Sequence, residues 1–201
     1  VRRCASPRDG PGTGAVRVRV RVGLSGGSEA GCVRASGQGA TAGALLSLLR
    51  SGDHLRAGSW IYGGTQQLVT KGLPGMGIQC TLVDPMETRG WRRHLRKNTR
   101  AMFVESPVNP TCRVLDLKPI TALAKEQGLA LVVDSTFATP VGFRPLEHGA
   151  HVVIHSATKF LNGPHDVVAG ADPATATYNA VARQNLTVGG RPPQPLAGSP
   201  P

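Results

Sequence analysis

The stretch "HVVIHSATKFLNG" (151–163) runs from an apolar strand pattern, Val152 to Ile154 with its flanks, straight into Ser156, Thr158 and Lys159. A lysine at a strand end can simply reach solvent. If apolar neighbours such as Phe160 and Leu161 disfavour its charge, it can instead present a neutral amine that condenses with a carbonyl. Asp134 closes another apolar run, "LALVV". Its carboxylate reads either as a turn or cap former, or as a buried anion paired with a cation. A third stretch, "ASGQGA" (35–40), opens a helix with small residues whose free main-chain N–H groups can cradle a phosphate, although Gly-rich helix starts are common.

The elements that must position these groups follow from hydrophobic periodicity. "GATAGALLSLLRS" (39–51) has Ala44, Leu45, Leu48 and Leu49 at helical spacing and is stopped by Ser51-Gly52-Asp53. "IQCTLVD" (78–84), "RAMFVES" (100–106), "LALVVDS" (129–135) and "HVVIHS" (151–156) read as strands. "PMETRGWRRHLRKN" (85–98) reads as a basic surface helix, and "LKPITALAKEQG" (117–128) as a helix closed by Gly128. Alternating helices and apolar strands predict an α/β fold with a mostly parallel central sheet flanked by helices. Such sheets bind ligands at the carboxyl ends of their strands, where Glu105, Asp134 and the Ser156/Thr158/Lys159 set fall. A phosphate cradle, an anion for a protonated ring nitrogen and an amine for an aldehyde together describe pyridoxal 5′-phosphate.

Composition sets the outer limits. The 201 residues are 40% hydrophobic, enough for one domain with a real core. The net charge of +11 invites a nucleic-acid reading, but residues 1–35 hold seven arginines against two acids, while 36–170 resemble an ordinary enzyme surface. With 4% aromatic residues and no binding motif, a nucleic-acid partner is not expected. Cys4, Cys32, Cys80 and Cys112 are widely spaced, which predicts neither a zinc site nor a disulfide framework. No run of about 18 apolar residues predicts a membrane span, so a cytoplasmic location is the default. Residues 1–35, despite the alternating "VRVRVRV" (16–22), and the Pro/Gly/Ala-rich tail 171–201 are expected to be poorly ordered flanks of a core at 36–170.

Six motifs, "SGQGA", "YGGT", "ESPVNPT", "VVDSTFATP", "RPLEHGA" and "HSATKFLNG…DVVAG", stand in one order across residues 36–170. In them the chain resembles the Cys/Met-metabolism, or trans-sulfuration, family of pyridoxal-phosphate enzymes, which includes cystathionine γ-synthase, cystathionine γ-lyase, methionine γ-lyase and the homoserine-ester sulfhydrylases. The resemblance implies the large domain of the aspartate aminotransferase-like fold and γ-elimination or γ-replacement on cystathionine, homoserine esters or related amino acids. Lys159 would link covalently to the cofactor and shuttle protons, and Asp134 would hold the pyridine nitrogen protonated. Tyr62 would stack on the ring and assist proton transfer, and Asn109 would hydrogen-bond the phenolic oxygen. Gly37, Gln38, Ser156 and Thr158 would hold the phosphate, with no metal involved.

Departures from the family pattern accompany these expectations. Ser135 stands where Asn is usual beside the ring, and Pro164 where His is usual. The N-terminal Tyr-Ser-Arg segment that completes a neighbouring subunit's phosphate site has no match in residues 1–35. Nor does either Arg183 or Arg191 sit in the motif that binds the substrate's α-carboxylate, so the C-terminal domain is expected to be missing. The implied product is a fragment of a homo-oligomeric enzyme with impaired activity, or alternatively a non-catalytic remnant or interaction partner of an intact paralogue.

Overall fold

The computed structural model describes residues 30–156, 158–159, 170–175 and 178. "VRVRVRV", Pro164, Arg183 and Arg191 lie outside them. Seven strands, β1 (Ala30–Arg34), β2 (His54–Gly58), β3 (Gln79–Val83), β4 (Thr99–Glu105), β5 (Ala130–Asp134), β6 (Val152–Ser156) and β7 (Gly170–Ala174), form one sheet in the order β1-β7-β6-β5-β4-β2-β3. Strands β2 to β6 pair in parallel, and β7 runs antiparallel to both β6 and β1.

Residue parity assigns the two faces of the sheet. Ala101 and Phe103 of β4, Val132 of β5 and Val152 and Ile154 of β6 join one buried cluster, together with Ala40, Ala44 and Leu45 of helix α1 (Gly37–Leu48). Met102, Val104, Leu131, Val133 and Val153 join the other, with Trp91 of α3 (Thr88–Arg93) and Leu117, Ile120 and Leu123 of α4 (Leu117–Glu126). Between α1 and α3 the chain forms α2 (Gly63–Gln67), which continues through a π turn (Leu68–Gly72) into a last turn, Leu73–Gly75. A short α5 (Thr139–Gly142) follows β5. The central strands are apolar on both sides because helices cover both sides.

Several boundaries differ from the periodicity reading, each for a local reason. Helix α1 begins two residues early because Ser36 caps it, its Oγ accepting from the Gly39 N–H at 2.9 Å. The helix expected over 85–98 contracts to α3, since Asp84 first closes a turn by accepting from the Met86 N–H at 2.9 Å. Strand β2, "HLRAG", has no strand signature in the sequence, yet all five of its residues are buried. The His54 ring bonds Thr99 Oγ1 at 2.8 Å and Thr81 Oγ1 at 2.9 Å across the sheet, and Arg56 Nη2 donates to the Gly90 carbonyl of α3 at 2.6 Å, while Arg56 Nε and Nη1 are buried without a hydrogen-bond partner among the described residues. Strands β1 and β7 lie on or beyond the edges of the 36–170 block, so the sheet takes in residues from both expected flanks.

Among the described residues no helix is long and apolar enough to cross a membrane.

Candidate active site

The site grows out of the parity of three strands. Residues 101 and 103, 132, and 152 and 154 face α1, so the next residues of the same parity, Glu105, Asp134 and Ser156, carry that face past the last apolar layer. In register Glu105 stands beside Asp134, and Asp134 beside Ile154. Above them a cavity of about 470 Å³ opens, lined by Ser36, Gly37, Gln38 and Thr41 from the start of α1 and by Tyr62, Asn109, Thr136, Phe137, Thr158 and Lys159 from the loops. All eight residues singled out in the sequence, Gly37, Gln38, Tyr62, Asn109, Asp134, Ser156, Thr158 and Lys159, border it.

One end of the cavity suits an anion. Gly37 and Gln38 lie in the first turn of α1, where an α-helix leaves N–H groups without intrahelical acceptors. A Cβ on Gly37 would lie 2.6 Å from Ser156 Cβ and 2.7 Å from its Oγ, so only glycine lets the helix start settle on the end of β6. Gly170 of β7 is as tightly placed, because an added Cβ would meet the Ser36 carbonyl oxygen at 2.1 Å. The small residues of α1 thus serve a close helix-to-sheet contact as well as the cradle.

The floor carries two buried carboxylates. Asp134 is 7% exposed, and burial raises its pKa against the hydrogen bonds from Thr136. Both of those bonds fall on Oδ1, from the Thr136 N–H at 3.0 Å and from its hydroxyl at 2.6 Å, which leaves Oδ2 for a partner in the cavity. Thr136 Oγ1 in turn accepts from the Ser156 N–H at 2.9 Å, tying the acid to the anion end. Glu105 is 5% exposed. Its Oε2 accepts from the Tyr62 N–H at 2.6 Å and its Oε1 from the Asn109 N–H at 2.9 Å. Burial pushes the Glu105 carboxyl up to about 7, aided by the charge of Asp134 and opposed by these two N–H donors.

Two residues depart from the sequence-based picture. Lys159 borders the cavity and is exposed, while Phe160 and Leu161, the apolar neighbours named for it, lie outside the described residues. Ser135 does not line the cavity. Its parity is opposite to that of Asp134, and its hydroxyl is buried with no hydrogen-bond partner among the described residues, while its carbonyl meets His155 Nδ1 at 3.1 Å. Burial lowers the His155 pKa to about 4, so the ring is neutral and its Nδ1–H is the donor. Sequence reasoning left Glu105 without a role and missed Thr136. The signal for Thr136 was local, a threonine two residues after an aspartate, which is the spacing of an Asx turn.

These residues fit pyridoxal phosphate: a cradle for a dianion, an open oxygen on a buried carboxylate for a ring cation, and an amine on one wall. An α/β sheet with such a cavity at its carboxyl edge defines a pyridoxal-phosphate-binding large domain. The chain belongs to the Cys/Met metabolism PLP-dependent enzymes, which it matches over residues 12–192, beyond both limits of the block in which the motifs lie. It is 39% identical over 155 residues to L-methionine γ-lyase of Porphyromonas gingivalis, covering 77% of this chain and 39% of that protein. To cystathionine γ-lyase of Bacillus subtilis it is 42% identical over 142 residues, 71% of this chain and 37% of the relative. A crystal structure from Campylobacter jejuni, described as an O-acetylhomoserine (thiol)-lyase, superposes with a TM-score of 0.77 at 32% identity, over 80% of this chain and 40% of that one, and carries an N′-pyridoxyl-lysine-5′-monophosphate. Cystathionine γ-lyase from Lactobacillus plantarum, complexed with L-serine, gives 0.78 at 30% identity, over 86% and 45%. The chain therefore spans less than half the length of these relatives.

Proposed function

We propose that the chain is the cofactor-binding part of a trans-sulfuration enzyme that carries out γ-elimination or γ-replacement on cystathionine, a homoserine ester or a related sulfur amino acid. The supporting observation is the convergence of eight residues, drawn from five separate stretches of sequence, on one cavity. When bound, pyridoxal phosphate supplies an electron sink conjugated to the substrate's α-carbon. Lys159 Nζ is the amine that would hold the cofactor and that could carry protons at the substrate's α, β and γ carbons. Asp134 Oδ2 would hold a proton on the ring nitrogen, with Oδ1 already committed to Thr136. The Tyr62 ring would stack on the cofactor and its phenol would assist proton transfer, while the Asn109 side chain would donate to the phenolic oxygen. The N–H groups of Gly37 and Gln38 and the hydroxyls of Ser156 and Thr158 bind the phosphate. Among the described residues that line the cavity there is no arginine.

The test is direct. Purified chain mixed with pyridoxal phosphate and passed through gel filtration is expected to retain a visible absorption band that Lys159→Ala loses. A wild-type chain that emerges colourless refutes the reading. A panel of cystathionine, methionine and O-acetylhomoserine, assayed for 2-oxo acid release, then identifies the substrate.

A further inference from the structure

Tyr62 and Asn109 reach the cavity from two different loops, one between β2 and α2 and one after β4. Neither loop is part of the sheet ladder at these residues, and neither side chain makes a hydrogen bond within the described residues that would fix it. What fixes them is main chain. The Tyr62 N–H and the Asn109 N–H each donate to one oxygen of the same carboxylate, that of Glu105. Glu105 is itself anchored on β4, whose neighbours β2 and β5 hold it on both sides.

We propose that Glu105 is the positioning residue of this site, a two-armed main-chain clamp that sets Tyr62 and Asn109 at one spacing across the cavity while leaving both side chains free for the ligand. The proposal rests on the reading that pyridoxal phosphate binds here. Once ionised, above its folded value of about 7, this carboxylate presents two acceptor oxygens and no donor, so both N–H groups are satisfied at once. An amide cannot do this, since its NH₂ would face one of the two N–H groups and that arm would open. Hydrogen bonds to an ionised acceptor are the stronger kind, and Glu105 is almost fully shielded from competing water. The carboxylate is also beside Asp134 in register, so the clamp and the proposed ring-nitrogen partner share one sheet edge. A displacement of either loop would therefore be read directly as a displacement relative to Asp134.

The experiment uses the full chain in three forms, wild type, Glu105→Gln and the surface control Glu147→Gln. Without cofactor, and at a pH well above 7 where Glu105 is ionised, amide hydrogen exchange is followed at Tyr62, Asn109 and the strand amides of β4 and β5. Glu105→Gln is expected to speed exchange at one or both of the two clamped amides about tenfold or more, with strand amides unchanged. With cofactor, the dissociation constant is expected to rise about tenfold to a hundredfold, the loss of one charge-assisted hydrogen bond. Circular dichroism of the visible band is expected to change as ring orientation relaxes. Wild-type protection at both amides overturns the clamp, and so does faster exchange spread evenly over β4 and β5, which is what a merely structural carboxylate would give. Glu105→Asp, with the charge kept and the reach one methylene shorter, decides the matter if the Gln variant does not fold: it should protect one amide and lose the other, and protection of both overturns the proposal. A wild-type chain that binds no pyridoxal phosphate refutes the functional reading alone, because the exchange measurements on the cofactor-free chain still decide the clamp.

Discussion

Adding a single methyl group at Gly37 tests the close approach on which the anion cradle depends. The Cβ of Gly37→Ala would stand 2.6 Å from Ser156 Cβ, 2.7 Å from Ser156 Oγ and 3.2 Å from Ser156 Cα. Carbon atoms pack at about 3.5–4.0 Å, so α1 and the end of β6 must separate by about 1 Å. Rotating Ser156 cannot provide that space, since its Cβ is fixed by the strand and its Cα is also too near. Overpacking of this kind costs about 1–3 kcal/mol, and a misplacement of about 1 Å lowers function by about a hundredfold. Pyridoxal-phosphate titration of Gly37→Ala is accordingly expected to show a dissociation constant about tenfold to a hundredfold above wild type, with a lowered thermal midpoint. Gly75→Ala is the control, because an added Cβ there meets nothing within 4 Å; it should be neutral or slightly stabilising. If Gly37→Ala behaves like Gly75→Ala in both measurements, the helix start does not rest on β6 in solution and the cradle is wrongly built.

Three further outcomes are expected. Asp134→Ala should depress turnover far more than cofactor retention, since the proposed covalent link through Lys159 and the proposed phosphate contacts would persist; equal loss of both, measured by activity and gel filtration, would contradict its role. Thr136→Val removes the donor to Asp134 Oδ1 and the acceptor for the Ser156 N–H, and should cost about 2 kcal/mol in denaturant unfolding and weaken cofactor binding; an unchanged midpoint would show that the bridge carries nothing. The third outcome concerns pH. Glu105 titrates near 7 when folded against an ordinary value of 4.5. The folded, cofactor-free chain therefore holds a proton there that the unfolded chain has released. This contribution is fully present below pH 4.5 and is lost as pH rises through 7, amounting to about 3 kcal/mol. The stability difference between wild type and Glu105→Gln should fall across that window, and a difference independent of pH would contradict the burial of this acid.

Periodicity was enough to place β4, β5 and β6, because strands covered on both faces must be apolar through their centres, and "AMFV", "LALVV" and "VVI" are. It also placed the chemistry, since the polar residue that ends such a run has only the carboxyl edge of the sheet to occupy. Glu105, Asp134 and Ser156 were therefore legible as a set before any contact was known. Other features were decided only in three dimensions. Strand β2 is written with a histidine and an arginine, and it is a strand because β3 and β4 pair with it on either side, while Thr99 and Thr81 bond the buried His54 ring and the Gly90 carbonyl accepts from one nitrogen of Arg56, all distant in sequence. Strand β7, "GADPA", contains a glycine, an aspartate and a proline, a composition that belongs to loops; it takes extended form because β1 and β6 pair with it on either side. The clamp on Tyr62 and Asn109 is likewise tertiary, because a carboxylate's two oxygens can be assigned to two loops only after the sheet has brought residues 62, 105 and 109 together. Local sequence fixes which side chain is available and which face it occupies. Which backbone groups it satisfies depends on neighbours that the chain reaches only by folding.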